Sequence, residues 1–299
     1  MIRETIFPVE FPLTIDTIEF PGSPELLADF AERVSLQRLV IAARAQPSFR
    51  PLLERCDQAI PLCRTAIARV LVASLGALVA TYLGDHADAL ERALRVADHY
   101  DETLAPQEQA HAAAALHRAL GNAFLGMGDA EHALEEYAAG AAACDVSDDA
   151  WEHSVALFNL GEALVGLGDP ERAGHYFEQA LEAKSRLEDP WGLSYTHAAL
   201  AKLHATVDEP ELALEEARRA FALAKKTGDM KLRSTVYRTM GEVLHTLGHT
   251  GEARQHLEVA LETATQVGAG PELAAARAAL TQLHAARYGG GRGGLSSSS

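Results

Sequence analysis

Apolar residues recur along the middle of the chain at helical spacing, with a short turn between successive runs. Between Ala156 and Ala180, leucines at every third or fourth position lead to the turn Gly168-Asp169-Pro170, and Ala173 and Phe177 continue the pattern beyond it. Apolar positions three and four residues apart share one face of an α-helix. The stretch therefore predicts a helix, a tight turn and a second helix whose apolar faces meet.

This helix-turn-helix unit recurs every forty residues. Leu160-Gly161 has counterparts at Leu120-Gly121, Leu200-Ala201 and Met240-Gly241, and the turns that follow stay in phase with them. A chance match would not return at a fixed period. The recurrence predicts an array of helix pairs in which each pair packs on its neighbours.

The residues of the unit resemble the tetratricopeptide repeat. The segment Leu157-x-x-Leu160-Gly161-x-x-Leu164, followed by Ala173-x-x-x-Phe177, matches the family pattern W-x2-L-G-x2-Y…A-x3-F in spacing, with leucine in place of the Trp and the Tyr. The period exceeds the family's usual length of about 34 residues, so each helix is about one turn longer. Such long repeats resemble the sensor and regulatory arrays of bacterial signalling proteins.

The resemblance implies an all-α, right-handed superhelical solenoid over residues 61–287, with about five helix pairs and a C-terminal capping helix. Before it, residues 1–22 predict an extended N-terminal arm with eight large apolar side chains and three prolines. Residues 23–60 predict a helical cap whose first helix runs from Pro24 to Ala45. Residues 288–299 predict a disordered Gly/Ser tail.

The net charge of −16 is unevenly distributed. Residues 101–200 alone hold 4 basic and 18 acidic side chains. Nucleic acid binding needs clustered Lys and Arg, so we expect no nucleic-acid partner, whereas a basic partner segment would be attracted. The alternative is a solvated outer face that keeps an alanine-rich array soluble.

The sequence shows none of the motifs that mark a catalytic, cofactor or metal site. It lacks a phosphate-binding P-loop, a nucleophile elbow, an H-E-x-x-H helix and a dinucleotide fingerprint, so we expect no enzyme activity and no cofactor. His245 and His249 are four residues apart but have no evident third ligand, so we expect no metal.

The cellular context is predicted from three features. Cys56, Cys63 and Cys144 are too few for a disulfide framework and read as buried thiols in a reducing cytoplasm. The amino terminus shows no basic region followed by an apolar run, so we expect no secretory signal. The apolar stretch Val70 to Leu83 is too short to cross a bilayer and predicts a core helix, so we expect no membrane association.

In tetratricopeptide arrays the first helix of each pair lines a concave groove, which implies where a partner would bind. Arg118, Asn122 and Asn159 resemble members of the carboxylate clamp of co-chaperone repeats, but Tyr195 and Ala199 stand where its further basic residues would be. The groove positions combine amide, charged and aromatic side chains suited to an extended peptide. The predicted partner-binding residues are Arg118, Asn122, Phe158, Asn159, Glu162, Tyr195, Lys202, Arg238, Glu242 and His245.

These features predict a non-catalytic interaction module that binds a peptide or protein segment. The alternative is the sensor half of a signalling protein, a transcription regulator or cyclase, whose output domain is absent from this sequence. The first repeat differs because its groove floor, Leu71, Ser74, Leu78 and Thr81, is apolar. We expect the arm or the helix after it to cover this floor, within one chain or by exchange in a homodimer.

Overall fold

The computed structural model describes residues 21–98 and 104–289, except for positions 34, 36, 38, 41, 42, 44, 45 and 47. The predicted extended arm lies outside the described residues apart from Pro21 and Gly22. Over the described residues the chain forms thirteen α-helices: α1 Pro24–Ala31, α2 Arg50–Ala59, α3 Ala66–Leu83, α4 His86–Ala97, α5 Pro106–Gly126, α6 Ala130–Ser147, α7 Ala150–Gly166, α8 Pro170–Arg186, α9 Pro190–Thr206, α10 Pro210–Thr227, α11 Met230–Thr246, α12 Thr250–Val267 and α13 Gly270–Gly289.

Helices α3 to α12 form five antiparallel pairs, which confirms the predicted all-α solenoid. Short polar side chains start many of them: Asp129, Asp169 and Asp229 each accept a hydrogen bond from the backbone N–H three residues further on. Such caps satisfy N–H groups that have no partner within the helix. Glycines at the preceding turns, including Gly128 and Gly168, adopt the left-handed conformation that ends a helix.

Within a pair, the two helices touch where a glycine of the first faces a large side chain of the second. A Cβ added at Gly161 would lie 2.5 Å from Cε1 of Phe177, whose side chain is fully buried. A side chain at Gly121 or Gly241 would likewise overlap the side chain that packs there. The glycine therefore sets how closely the helices approach, as the repeat pattern predicted.

The N-terminal cap departs from the predicted single helix. Helix α1 ends at Ala31, so the prediction of a helix from Pro24 to Ala45 is wrong. Immediately after α1, the Glu32 carboxylate accepts hydrogen bonds from the backbone N–H groups of Arg64 and Thr65 and from the Thr65 hydroxyl. This contact fixes the end of α1 against the start of α3, a tertiary interaction that no local pattern reveals.

The cap covers part of the apolar floor of the first repeat within one chain. Leu71 and Ser74 of α3 are buried, and Leu27, Leu39 and Phe49 from the cap belong to the same hydrophobic cluster as Leu71. Helix α3 is the one described helix long and apolar enough to cross a membrane, yet 78% of it is buried inside the fold, as in a core helix. The cap therefore covers Leu71 and Ser74, whereas Leu78 and Thr81 line the central cavity.

The C-terminal helix α13 does more than cap the last pair, because its first turn reaches back to the first repeat. Gly270 lies against the backbone carbonyl of Leu83, where any Cβ would overlap the oxygen, and Pro271 lies beside Gly84. The two ends of the array are thus in contact. Helix α13 also continues to Gly289, two residues beyond the predicted limit of Arg287.

The glycine contact generates a stability prediction with a matched control. Gly161→Ala should lower the free energy of unfolding by about 1–3 kcal/mol, because the new methyl group overpacks a filled site. Gly251→Ala should be neutral or stabilising by about 0.5–1 kcal/mol, because this helical glycine has no neighbour within 4 Å of the added Cβ. Thermal unfolding followed by circular dichroism measures both. Equal shifts of the same sign would show that the helix register is wrong.

Candidate functional site

The first helices of the five pairs surround a cavity of about 470 Å³, and the start of α13 completes its wall. The first helix of each pair faces inwards and the second packs outside it. Because the ends of the array meet, the groove of an open solenoid becomes a closed ring of side chains. A volume of this size is typical of sites that hold a small ligand or a short chain segment.

The structure brings most of the predicted binding residues together in this cavity. Eight of the ten line it: Arg118, Asn122, Phe158, Asn159, Glu162, Tyr195, Lys202 and Arg238. Glu242 and His245, on the last first helix, lie outside the lining. Glu242 accepts a hydrogen bond from Nη1 of Arg238 at 2.6 Å, so it acts on the cavity through its partner. No observation here tests whether these residues contact a partner, and that role stays a prediction.

Several further lining residues were not predicted, among them Trp151, Trp191, Lys231 and Glu272. The two tryptophans are the only ones in the chain, and they stand forty residues apart near the start of α7 and α9. Because they occupy the same position in successive repeats, the sequence alone could have predicted that both face the cavity. Lys231 and Glu272 gave no such signal, because their pairing depends on how α13 packs against α11.

Arg118 and Asn122, the clamp-like residues of α5, are already engaged by other side chains. Nε of Arg118 lies 2.5 Å from Oε1 of Glu152, and both side chains are more than nine-tenths buried. Burial raises the pKa of Glu152, and the neighbouring Arg118 charge does not fully offset this effect. The Asn122 carbonyl oxygen accepts a hydrogen bond of 2.8 Å from the Tyr137 hydroxyl. Arg118 and Asn122 therefore stabilise the wall of the cavity through these contacts.

Other polar side chains of the cavity remain available. Within the described part of the chain, Asn159 and Lys202 make no side-chain hydrogen bond or ion pair, and Nε1 of Trp191 is buried without an acceptor. Burial, and after it the charge of Arg238, lowers the pKa of Lys202. The cavity thus presents an amide, an ammonium and an indole N–H whose hydrogen-bonding capacity is unused.

An ion pair joins α11 to α13 beside the cavity. Nζ of Lys231 lies 2.7 Å from Oε1 of Glu272, and both side chains are only 12% exposed. The ammonium also lies over the rings of Tyr82, at 4.6 Å, and Tyr195, at 5.6 Å. Burial alone would lower the pKa of Lys231, but the Glu272 carboxylate outweighs it and the pKa is raised. This pair links α11 to α13 at the seam with α3.

The described residues contain no group of three or more His, Cys, Asp or Glu side chains arranged to hold a metal ion. Cys56, Cys63 and Cys144 are buried free thiols. Burial raises the pKa of Cys56 to about 12 and that of Cys63 to about 11, so neither is a reactive thiolate at neutral pH.

Comparison with known proteins identifies one repeat by sequence and the whole array by structure. Residues 155–186 match the family model described as tetratricopeptide repeat. This segment covers most of α7 and α8, the unit in which the sequence pattern is clearest. No curated protein sequence matches the chain.

Solved structures share the fold at low identity. NprR in complex with its cognate peptide NprX is 15% identical, with 90% of this chain and 74% of that chain covered and a TM-score of 0.62. A Rap protein complexed with competence and sporulation factor is 13% identical, covering 89% and 80%, with a TM-score of 0.57. A signal transduction ATPase with a tetratricopeptide repeat sensor from Pyrococcus horikoshii is 13% identical, covering 89% and 42%, with a TM-score of 0.54.

The ion pair between Lys231 and Glu272 is testable by removing one charge. Glu272→Gln should cost about 3 kcal/mol of stability, because it leaves the buried Lys231 ammonium without its partner. The double variant Lys231→Met/Glu272→Leu should recover most of this loss. The measurement is the midpoint of urea unfolding.

A matched control comes from the surface. Glu182→Gln removes the partner of Arg186 in a pair whose side chains are 66% and 75% exposed, so its cost should stay below about 1 kcal/mol. If Glu272→Gln is as mild as Glu182→Gln, the seam is not held by this pair.

Proposed function

Because the chain carries a tetratricopeptide repeat within a closed solenoid of five helix pairs, we propose that it is an interaction module that binds a peptide or protein segment in its central cavity. The observation that carries the proposal is the set of unengaged polar groups, Asn159, Lys202 and the indole N–H of Trp191, that line one cavity. The indole N–H is buried, and buried polar groups normally have partners; Asn159 and Lys202 are half-buried and face the cavity. A bound segment would supply partners for all three.

The lining also supplies apolar contacts. Phe158 packs against Phe177 with 5.7 Å between ring centroids, so its ring is held in place by the pair's own core. Tyr195 and the two tryptophans add aromatic surface around the same space. Aromatic side chains held rigidly in this way contribute much of the energy in protein recognition. The Asn159 amide can pair with both the N–H and the C=O of a peptide backbone.

Two of the similar structures contain bound partners, as their descriptions state: NprR with the peptide NprX and a Rap protein with competence and sporulation factor. These cases support a ligand within this fold. They do not identify the ligand of this chain, because at such identities the likeness concerns the fold alone.

The proposed action is binding without catalysis. The cavity's unengaged groups bind and orient, and the three described cysteines are buried. A second role fits the same binding step, that of a sensor array within a larger signalling protein. The similar ATPase from Pyrococcus horikoshii has a tetratricopeptide repeat sensor, and this chain spans 42% of its length.

Photo-crosslinking tests where a segment binds. A benzophenone amino acid at Leu125, inside the cavity, should crosslink members of a randomised peptide mixture. The same group at Leu212, which is 47% exposed on the outer helix α10, should not. Equal crosslinking from the two positions would overturn the cavity as the binding site.

Affinity for a crosslinked peptide should depend on the unengaged groups. Asn159→Ala/Lys202→Ala should weaken binding by well over tenfold, because each side chain loses a direct contact but leaves no partner behind. The control Lys226→Ala/Gln282→Ala, on exposed outer positions, should bind as the original chain does. Tryptophan fluorescence reports the titration, since both tryptophans line the cavity. Equal affinities for the two double variants would contradict the proposal.

A further inference from the structure

Large apolar side chains are exposed at the same place in three successive helix pairs. Met127, Leu167 and Val207 each directly follow the last residue of a first helix, and Val165 lies one residue further back on α7. All four are 40–45% exposed. A single exposed apolar residue is ordinary, but a return every forty residues indicates a continuous surface feature. We refer to these four side chains as the turn ridge.

The three turns lie side by side, so the turn ridge is one surface. A Cβ added at Gly166, at the end of α7, would lie 2.9 Å from Cβ of Ala130, at the start of α6. A Cβ added at Gly174, near the start of α8, would lie 3.4 Å from Cδ2 of Leu203, near the end of α9. The end of each first helix thus packs beside the preceding turn, and the exposed side chains form a row along one edge of the array.

The corresponding turn of the first pair already receives a helix. There the first turn of α13 packs on the turn, and a Cβ added at Gly84 would lie 3.3 Å from Cδ of Pro271. At the ridge, a Cβ added at Gly128 or Gly168 would meet no atom of the described residues within 4 Å. The same turn is therefore covered by a helix in the first pair and open in the second and third.

Carboxylates surround the turn ridge. Residues 127–132, 167–172 and 207–212 contain one Lys or Arg side chain, Arg172, which pairs with Asp169. The acidic side chains of these segments are Asp129, Glu131, Asp169, Glu171, Asp208, Glu209 and Glu211. An apolar row beside a row of negative charge is complementary to a helix whose apolar stripe is flanked by Lys or Arg.

The spacing of the ridge matches the repeat of an α-helix. Helices in contact lie about 8–10 Å apart, which sets the scale of the distance from one turn to the next. A helix returns to nearly the same face every seven residues, a rise of about 10.5 Å. One helix of about 15 residues laid along the edge would therefore place an apolar side chain against each of Met127, Leu167 and Val207.

We propose that the turn ridge docks a basic amphipathic helix of another protein, with its apolar stripe on the ridge side chains and its Lys or Arg side chains beside the carboxylates. The described lining of the central cavity includes none of the four ridge residues. The inference therefore does not depend on the proposed function of the cavity.

Charge argues against other occupants of the ridge. Residues 1–20 hold one arginine and four acidic side chains, so the N-terminal arm would bring like charge to the carboxylates. A second copy of the chain would bring the same acidic segments. An anionic membrane surface would also be repelled. A basic helix is complementary to both the apolar row and the charge.

The test uses the full chain and a fluorescein-labelled 18-residue peptide of Leu, Ala and Lys that forms a helix with one leucine stripe flanked by lysines. Much shorter peptides form little helix and do not probe this surface. One control peptide has the same residues in an order that breaks the stripe, and the other has Glu in place of Lys. Fluorescence anisotropy should show the basic amphipathic peptide binding at least about tenfold more tightly than either control. Equal affinities for the three peptides would overturn the proposal.

The apolar contacts are tested by Met127→Gln/Leu167→Gln, which should weaken binding of the basic peptide at least about tenfold. Both side chains are exposed, so the midpoint of thermal unfolding should not change. The matched control Leu94→Gln/Val146→Gln removes two other exposed apolar side chains, on α4 and at the far end of α6, and should bind as the original chain does. Equal affinities for the two double variants would contradict the ridge as the docking surface.

The charged contacts are tested by Glu131→Gln/Glu211→Gln, which should weaken binding several-fold and reduce its dependence on salt. The control Glu178→Gln/Glu262→Gln removes the same charge from exposed positions elsewhere on the second helices and should have little effect. If instead the cavity variant Asn159→Ala/Lys202→Ala abolishes binding and the ridge variants do not, the peptide occupies the cavity and the ridge proposal is wrong.

The occupant itself is identified by a benzophenone amino acid at Leu167. Crosslinking to the basic peptide is the expected result. A crosslink to residues 1–20 or to a second copy, formed in the presence of the peptide, would assign the ridge to that segment and overturn the proposal. Binding to phosphatidylserine vesicles that is lost in Met127→Gln/Leu167→Gln would assign the ridge to a membrane and also overturn it.

Discussion

The close approach of two helices at a residue without a side chain is the constraint on which this structure depends. At Gly121, Gly161 and Gly241 the space that a Cβ would need is filled by a side chain of the following helix. Each such contact fixes the distance between the helices of one pair. The contact recurs in the pairs α5–α6, α7–α8 and α11–α12, and in α9 the small residue Ala201 holds the same position, so successive pairs approach in a similar way. Small deviations would accumulate from pair to pair, and the ends would no longer meet.

The local parts of the fold could be predicted from the sequence, since they depend on residues close together in the chain. Helix pairs, turns and the inward-facing positions follow from periodicity, and eight of the ten chosen residues line one cavity. The failures involve contacts between distant segments. Glu32 binds the start of α3, which ends α1 early, and Leu83 meets Gly270 only in the closed array. Periodicity also does not reveal that the Tyr137 hydroxyl donates a hydrogen bond to the side-chain oxygen of Asn122.

Burial has different consequences for charged groups on the inward-facing first helices and on the outer second helices. On the outer helices, acidic side chains keep their water and cost little, as expected for solvated charges. Towards the interior, the Lys231 ammonium is stabilised by Glu272 beside it, whereas burial raises the pKa of Glu152 despite the neighbouring Arg118. Lys202 makes no ion pair with a described residue, and burial, followed by the charge of Arg238, lowers the pKa of its ammonium. Residues of this kind are expected where recognition, rather than stability, has determined the side chain.

The contact between the first repeat, at the end of α3, and the last helix, α13, also fixes the number of repeats. An open solenoid tolerates duplication or loss of a unit, because each unit needs only its neighbours. In this chain one additional helix pair would displace the carbonyl of Leu83 from Gly270, and one fewer would leave both without a counterpart. Unequal recombination between repeats, the usual route by which such arrays change length, would therefore open the ring. The repeats of such a closed array are therefore expected to diverge in sequence while their number stays constant.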